Sequence, residues 1–203
     1  MARPRTDIAP RIVHAARARF LAEGVDGASL RTIARDANTN VGMIYYYFPT
    51  KDDLFLAVVE EKYGALLHEL EQLLATEGTT KARLQKMFAR LGALSHEELD
   101  VVRLVIREAL VSSARLDRVV ARFARGHLPL MLGALAQGVE QGELTDEVPL
   151  PLLMMSVFGA GALPQVIRRV IGERVPAFST LPSGDALAET MAGLLFEGIR
   201  KKK

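Results

Sequence analysis

The residues best suited to chemistry lie together in one short stretch, Asn38 to Lys51, which reads N-T-N-V-G-M-I-Y-Y-Y-F-P-T-K. Tyr45, Tyr46, Tyr47 and Phe48 follow one another directly. Four consecutive aromatics cannot all face inward from a one-sided helix or a simple strand, so some of them must meet water or a partner. That is the chemistry of recognition. Bond-making chemistry finds little support elsewhere. His14, His68, His96 and His127 are scattered, and neither a G-x-S-x-G elbow nor a P-loop occurs. His96-Glu97-Glu98-Leu99-Asp100 comes close to H-E-x-x-H, but aspartate stands where the second histidine ligand belongs. It reads as a solvated helix start, so no catalytic residue, metal or cofactor is expected.

The elements that must position this stretch follow from its capping residues. Asn40 can cap a short helix by accepting from the amide of Gly42 or Met43. That helix must end before Pro49, because a residue preceding proline avoids helical geometry. Thr50-Lys51-Asp52-Asp53 then opens a longer helix with a capping-box-like start, Asp53 standing where Glu or Gln is usual. Upstream, Ser29 to Ala37 makes another short capped helix with Leu30, Ile33, Ala34 and Ala37 inward and Arg31, Thr32 and Arg35 outward. Two short helices, a tight turn at Asn38–Thr39 and a long helix after Thr50 make a helix-turn-helix. A first helix, from Thr6 or Asp7 to Gly24, buries Ile8, Ile12, Val13, Ala16 and Phe20 at helical spacing and leaves Arg17 and Arg19 solvated.

The run S-L-R-T-I-A-R-D-A-N-T-N-V-G-M-I-Y-Y-Y-F-P-T-K-D-D-L resembles the DNA-binding signature of TetR/AcrR-type transcriptional regulators. The matching positions are Ile33-Ala34, Gly42, Ile44-Tyr45, Tyr47-Phe48, Lys51 and Leu54, within roughly residues 6–60. The turn departs from the family's usual glycine at Asn38, and asparagine tolerates left-handed geometry better than other side chains. Read from the residues, Val41 and Met43 offer apolar contact to base edges or thymine methyls, and Gly42 lets the backbone approach DNA. Ser29 and Thr32 can bond a phosphate near a helix N-terminus, although Ser29 can equally be an N-cap alone. Arg31, Asn40 and Thr50 share this face, and Arg3 and Arg5 lie on an N-terminal arm that is either a disordered terminus or reaches phosphates or the minor groove. The resemblance adds phosphate or base contacts for Tyr45 and Tyr47 and a phosphate clamp at Lys51, which could otherwise be a solvated side chain. Tyr46 either flanks the groove or packs on the first helix. Ile44 and Phe48 should anchor the reading helix inward.

Charge agrees with a nucleic-acid reader. Residues 1–51 hold eight basic residues against four acids, whereas the remaining chain is slightly acidic. Apolar residues make up 49% of the 203-residue chain, ample for a core, and Cys 0 excludes disulfides. No N-terminal apolar run serves as a signal peptide. The longest apolar stretch, Val148–Leu163, is interrupted by prolines and glycines, is shorter than a membrane span and reads as a buried helix. A cytoplasmic protein without membrane association is expected.

No segment after residue 51 alternates with period two, so the expected fold class is all-α: an N-terminal three-helix helix-turn-helix head at 1–50 and a larger helical body at 51–203. The long helix from Lys51 to about Ala75 links them. Glu97–Ser113, apolar almost all round, should be central in the body. Arg115–Gly142 should be one helix kinked at Pro129, and Pro164 should bend the helix that spans Val148–Gly172. Reading a palindromic operator in double-stranded DNA requires two copies. The last two helices carry enough apolar surface to form a homodimer as a four-helix bundle, which the resemblance also implies; the alternative is that they are simply core. The resemblance further implies a small-molecule effector site in the body. Phe88, Leu91, Leu104, Phe123, Met131, Met155 and Phe158 are candidates to line an apolar cavity. Glu108 and His127 are polar interruptions that either orient an apolar effector or are satisfied within the core, Glu108 by Arg107 or Arg168. The functional expectation is a ligand-responsive repressor; the alternative is a constitutive DNA-binding dimer with no effector.

Overall fold

The structure, a computed structural model, describes residues 7–171, 175 and 180–199. Among the described residues it is all helical, with no strand. The helices are α1 (Ile8–Gly27), α2 (Leu30–Asp36), α3 (Val41–Tyr47), α4 (Lys51–Leu74), α5 (Thr80–Gly92), α6 (His96–Val111), α7 (Ser113–Ala124), α8 (His127–Glu140), α9 (Leu150–Val157), α10 (Leu163–Ile171) and α11 (Gly184–Ile199). A π-helical turn, Phe158–Ala162, joins α9 to α10.

The chain forms two compact units, residues 1–66 with 96–122 and residues 67–95 with 123–203. The first unit contains the helix-turn-helix, the first part of α4, and α6 and α7. Its core is built from Ile12, Ala16, Phe20, Ile33, Ile44, Leu54, Phe55 and Val58, all nearly or fully removed from water. The functional division expected at residue 50 therefore differs from the packing division, because α6 packs on α1 in this unit. α6 is one-sided: Leu99, Val101 and Leu104 are buried, while Ile106, Leu110 and Val111 are exposed, Leu110 by 84%. Its near-continuous apolar composition had suggested a helix surrounded by others.

In the second unit α5 packs against α11, α10 and α8. α5 buries Leu84, Met87 and Phe88 from one face. Thr79 caps its start by accepting from the Ala82 amide at 3.2 Å, and Glu143 accepts from the Thr80 amide at 2.5 Å. At its other end Arg168 donates to the Gly92 carbonyl (3.2 Å) and Arg169 to the Leu94 carbonyl (2.7 Å). Guanidinium groups are favoured there because helix C-termini carry partial negative charge.

Two proline expectations change in detail. Pro129 does not kink a helix; α7 ends at Ala124, Gly126 takes φ −114 and ψ −111, and Pro129 is the third residue of α8. A proline in a first turn loses no hydrogen bond, so it starts a helix rather than bending one. Before Pro164 the chain widens into the π turn, the Leu163 amide reaching back to the Phe158 carbonyl. The whole of Leu150–Arg169 is long and apolar enough to cross a bilayer by length and composition, yet only 28% of its most apolar window is buried. It is thus not the buried helix expected. Leu153, Val157, Gly161, Ala162 and Gln165 face inward, and Leu152, Met155, Phe158 and Leu163 outward.

Candidate nucleic-acid interface and effector region

The reading helix is held by few contacts of its own. Asn40 Oδ1 accepts from the Met43 amide at 3.0 Å, fixing the first turn of α3. A Cβ on Gly42 would come within 3.1 Å of that same Oδ1, so glycine there also leaves room for the cap. Asn38 takes φ +50, the left-handed geometry the tight turn requires. Thr50 and Asp53 form the expected box: Asp53 accepts from the Thr50 amide (2.9 Å) and hydroxyl (2.6 Å), and Thr50 Oγ1 accepts from the Asp53 amide (3.1 Å). The Thr50 hydrogen bonds, with Arg118 assisting, hold the Asp53 carboxyl below its usual range.

Ile44 is the buried residue of α3, 1% exposed. Phe48 is half-buried where the helix ends. Gly42, Tyr45 and Tyr46 are exposed, Tyr46 by 76%, and Val41, Met43 and Tyr47 are half-buried. The Tyr46 and Tyr47 rings meet edge to face at 5.1 Å, so Tyr46 projects outward and does not pack on α1. Ser29 occupies the N-cap position of α2, but its side chain makes no cap bond; it is exposed, as is Arg31, while Thr32 is half-buried. Lys51 donates to the backbone carbonyl of Asp26 at 3.0 Å. Arg3 and Arg5 lie outside the described residues.

The electrostatics of this face follow from how its acids are used. Asp7 pairs with Arg11, Glu23 and Asp36 with Arg19, Asp26 and Asp52 with Arg115, and Asp53 with Arg118. Hydrogen bonding to Arg115 lowers the Asp26 pKa, and to Arg19 that of Asp36. Arg31 has no carboxylate partner among the described residues. Neutralised acids beside exposed donors suit an anionic partner.

The candidate effector residues divide between the units. Phe123, His127 and Phe158 come together in the second unit, the His127 ring 4.7 Å from that of Phe123 and 5.9 Å from that of Phe158. Phe88 is buried against Gly161 of the π turn, where a Cβ would overlap its ring. Met131 is buried and Leu91 half-buried. Met155 is 66% exposed on the outer face with Leu152. Leu104 and Glu108 belong to the first unit. Glu108 is buried, pairs with Arg115 (2.6 Å) and Arg107 (3.2 Å), and accepts from the Val25 amide at 3.1 Å. Arg168, the other partner considered for it, serves the end of α5 instead.

Sequence reasoning missed this charged layer. Arg17, expected in water, is buried and bridges to Glu97 at 2.9 Å. Lys62 and Arg17 together hold the Glu97 carboxyl down to about 2. The near-miss metal motif is thus the ion-paired first turn of α6, and no cluster that could hold a metal occurs among the described residues. On α7, Arg115, Arg118 and Arg122 repeat on one face and meet Asp52, Asp53 and Glu60 of α4. The one available signal was the i, i+3, i+7 spacing of those arginines.

A helix-turn-helix with an outward-facing aromatic reading helix, carried on an otherwise helical chain, defines a DNA-binding transcriptional regulator. Residues 12–58 match the family model for bacterial regulatory proteins of the tetR family. The chain is similar to the fatty acid metabolism regulator protein of Bacillus subtilis, 26% identical over 139 residues, or 67% of this chain and 70% of that one. It is also similar to the HTH-type transcriptional repressor SCO4008 of Streptomyces coelicolor, 28% identical over 167 residues, or 80% and 82% of the two chains. Among solved structures, the regulator FadR from Bacillus subtilis in complex with stearoyl-CoA shares the fold, with a TM-score of 0.73 and 24% identity over 94% of this chain and 99% of that one. The family match is thus confined to the N-terminal domain, and the relatives matched over more of the chain are transcriptional regulators too.

Proposed function

We propose that this chain is a repressor that binds a palindromic operator as a homodimer and is released by an apolar acyl effector, acting in the cytoplasm. The observation that carries the DNA half of the reading is α3, where Ile44 is buried while Gly42, Tyr45 and Tyr46 face out. Ser29, Arg31, Thr32, Asn40, Val41, Gly42, Met43 and the three tyrosines would line the groove, with Thr50 and Lys51 at its phosphate edge and Arg3 and Arg5 on the arm. Lys51 would exchange the Asp26 carbonyl for a phosphate oxygen.

Support for the homodimer comes from the outer face of α9 and α10, where Leu152, Met155, Phe158 and Leu163 lie in water in the single chain, with Leu194 exposed on α11. A twofold mate covering these side chains would bury them in a four-helix arrangement. Support for the effector comes from the aromatic group at Phe123, His127 and Phe158, and from relatives concerned with fatty acid metabolism. Ligand that favours a DNA-incompetent state would shift the population off the operator. The body domain at 51–203 would hold the effector and the dimer contact, the head at 1–50 the DNA contact.

The test has two arms. Genomic duplex fragments selected by the purified chain should yield an inverted repeat, and titration with stearoyl-CoA should release it. At a hundredfold excess over its Kd the ligand should add about 2.7 kcal/mol to folded-state stability. Selection of fragments with no shift in melting or release by any acyl thioester would favour a constitutive DNA-binding dimer. Failure to retain duplex DNA at low salt would refute the reading.

A further inference from the structure

The charged layer in the first unit has a single centre. Arg115 is buried, its side chain only 7% exposed, and its guanidinium reaches three carboxylates. Nε donates to Asp52 Oδ1 at 3.0 Å, in the first turn of α4. Nη1 donates to Glu108 Oε2 at 2.6 Å and to Asp26 Oδ2 at 3.2 Å, and Nη2 donates to Asp26 Oδ1. Asp26 precedes α2 by a few residues, and its backbone carbonyl is the acceptor for Lys51. Glu108, in turn, holds the Val25 amide. One planar cation thus ties the turn that delivers α2 to the turn that starts α4, on either side of the reading helix.

Nothing about folding a helical head requires a buried arginine with three acid partners. A buried ion cluster is weak evidence for stability, because desolvation offsets most of its attraction. Its geometric demand is severe, however, since a guanidinium presents donors in a fixed fork that only a particular placement of the carboxylates can satisfy. From this we infer that Arg115 is a positioning residue for DNA binding: without touching DNA, it fixes the spacing between the α2 end and the Lys51 end of the nucleic-acid face.

This inference rests on the DNA-binding reading above, and its test separates the two. The probe is a duplex that the wild-type chain selects from genomic fragments, and affinity is followed over a range of salt concentrations. Arg115→Lys keeps the charge but cannot reach three carboxylates at once. It should fold, by helical circular dichroism, and lose about tenfold in affinity at every salt concentration, one decade on the affinity scale. Its slope of log affinity against log salt should equal that of the wild type. Lys51→Ala, a proposed phosphate contact, should reduce that slope by about 0.9. Asp52→Asn, an isosteric change at a half-exposed position, should weaken binding about threefold with the wild-type slope; it decides the matter if Arg115→Lys does not fold. Wild-type affinity in folded Arg115→Lys, or in Asp52→Asn when the lysine variant is unfolded, overturns the inference. A slope reduced by Arg115→Lys also overturns it, since Arg115 would then be a phosphate contact itself. A wild-type chain that selects no duplex defeats the DNA-binding reading before the variants are compared.

Discussion

Replacing Ile44 with alanine tests how α3 is held more sharply than any change on its outer face. α3 has seven residues, too few to be stable alone, so its stability must come from packing. Ile44 is 1% exposed and supplies the buried side chain of that helix. The substitution removes three carbons from a core from which water is excluded; at about 0.8 kcal/mol per buried carbon the transfer loss alone is about 2.4 kcal/mol. Incomplete collapse of the space left behind raises this toward about 4 kcal/mol, within the range measured for such truncations. Tyr46→Ala, at a side chain 76% exposed, should cost less than about 0.5 kcal/mol. Urea unfolding of both variants, monitored by circular dichroism, reads the difference directly. Operator affinity supplies the second coordinate, for Tyr46→Ala should weaken binding at unchanged stability. A loss below about 1 kcal/mol for Ile44→Ala, or equal losses for the two variants, would mean that the faces of α3 are assigned wrongly.

Other consequences are equally open to measurement. Gly161→Ala should destabilise the chain by about 1–3 kcal/mol in denaturant titration, because the new Cβ must displace the buried Phe88 ring. Gly133→Ala, on a helix with open space around the added carbon, should instead stabilise it by about 0.5–1 kcal/mol, and the same sign for both glycines would contradict the packing described. Glu97 has its carboxyl lowered from 4.5 to about 2, first by Lys62 and then by Arg17. A depressed folded-state value means that the unfolded chain takes up the proton first, so the stabilisation is complete above pH 4.5 and disappears as pH falls toward 2. The melting-temperature gap between the wild type and Glu97→Gln should therefore close over that interval and narrow with added salt; a gap constant from pH 6 to pH 3 would show that the pairs contribute nothing.

What could be read from the chain beforehand was local. The Asn40 cap, the left-handed Asn38 and the Thr50–Asp53 box each depend on residues three or fewer positions apart, and all were legible as side-chain chemistry. The burial of Ile44 followed from helical phase. Arg115 was not legible: its partners Asp26 and Asp52 lie 89 and 63 residues away, and the spacing of the α7 arginines marks a charged face without naming the carboxylates that meet it. Arg17 was misread for the same reason, since its off-stripe position says nothing about a carboxylate arriving from α6. Composition also misled at α6 and at Val148–Leu163. An apolar run signals burial of its whole circumference only when every neighbour is already present in one chain. Met155 was grouped with the pocket by residue type, yet its place on the helix turns it outward beside Leu152.

The π turn at Phe158–Ala162 makes the number of residues in that segment matter as much as their identity. Inward positions there recur every fourth residue, at Leu153, Val157, Gly161 and Gln165, a rhythm that an ordinary helix would let drift around its axis. The wider turn absorbs the drift and keeps one flank straight. Excising one residue of the turn itself would let a regular α-helix re-form with the same flank inward, whereas excising or adding one elsewhere in the segment would swing everything downstream by roughly 100°. Gln165, Arg168 and Arg169 would then lose the Gly184, Gly92 and Leu94 carbonyls together. Outside the turn, insertions and deletions in this segment should therefore be far less tolerated than point substitutions on the same outer flank.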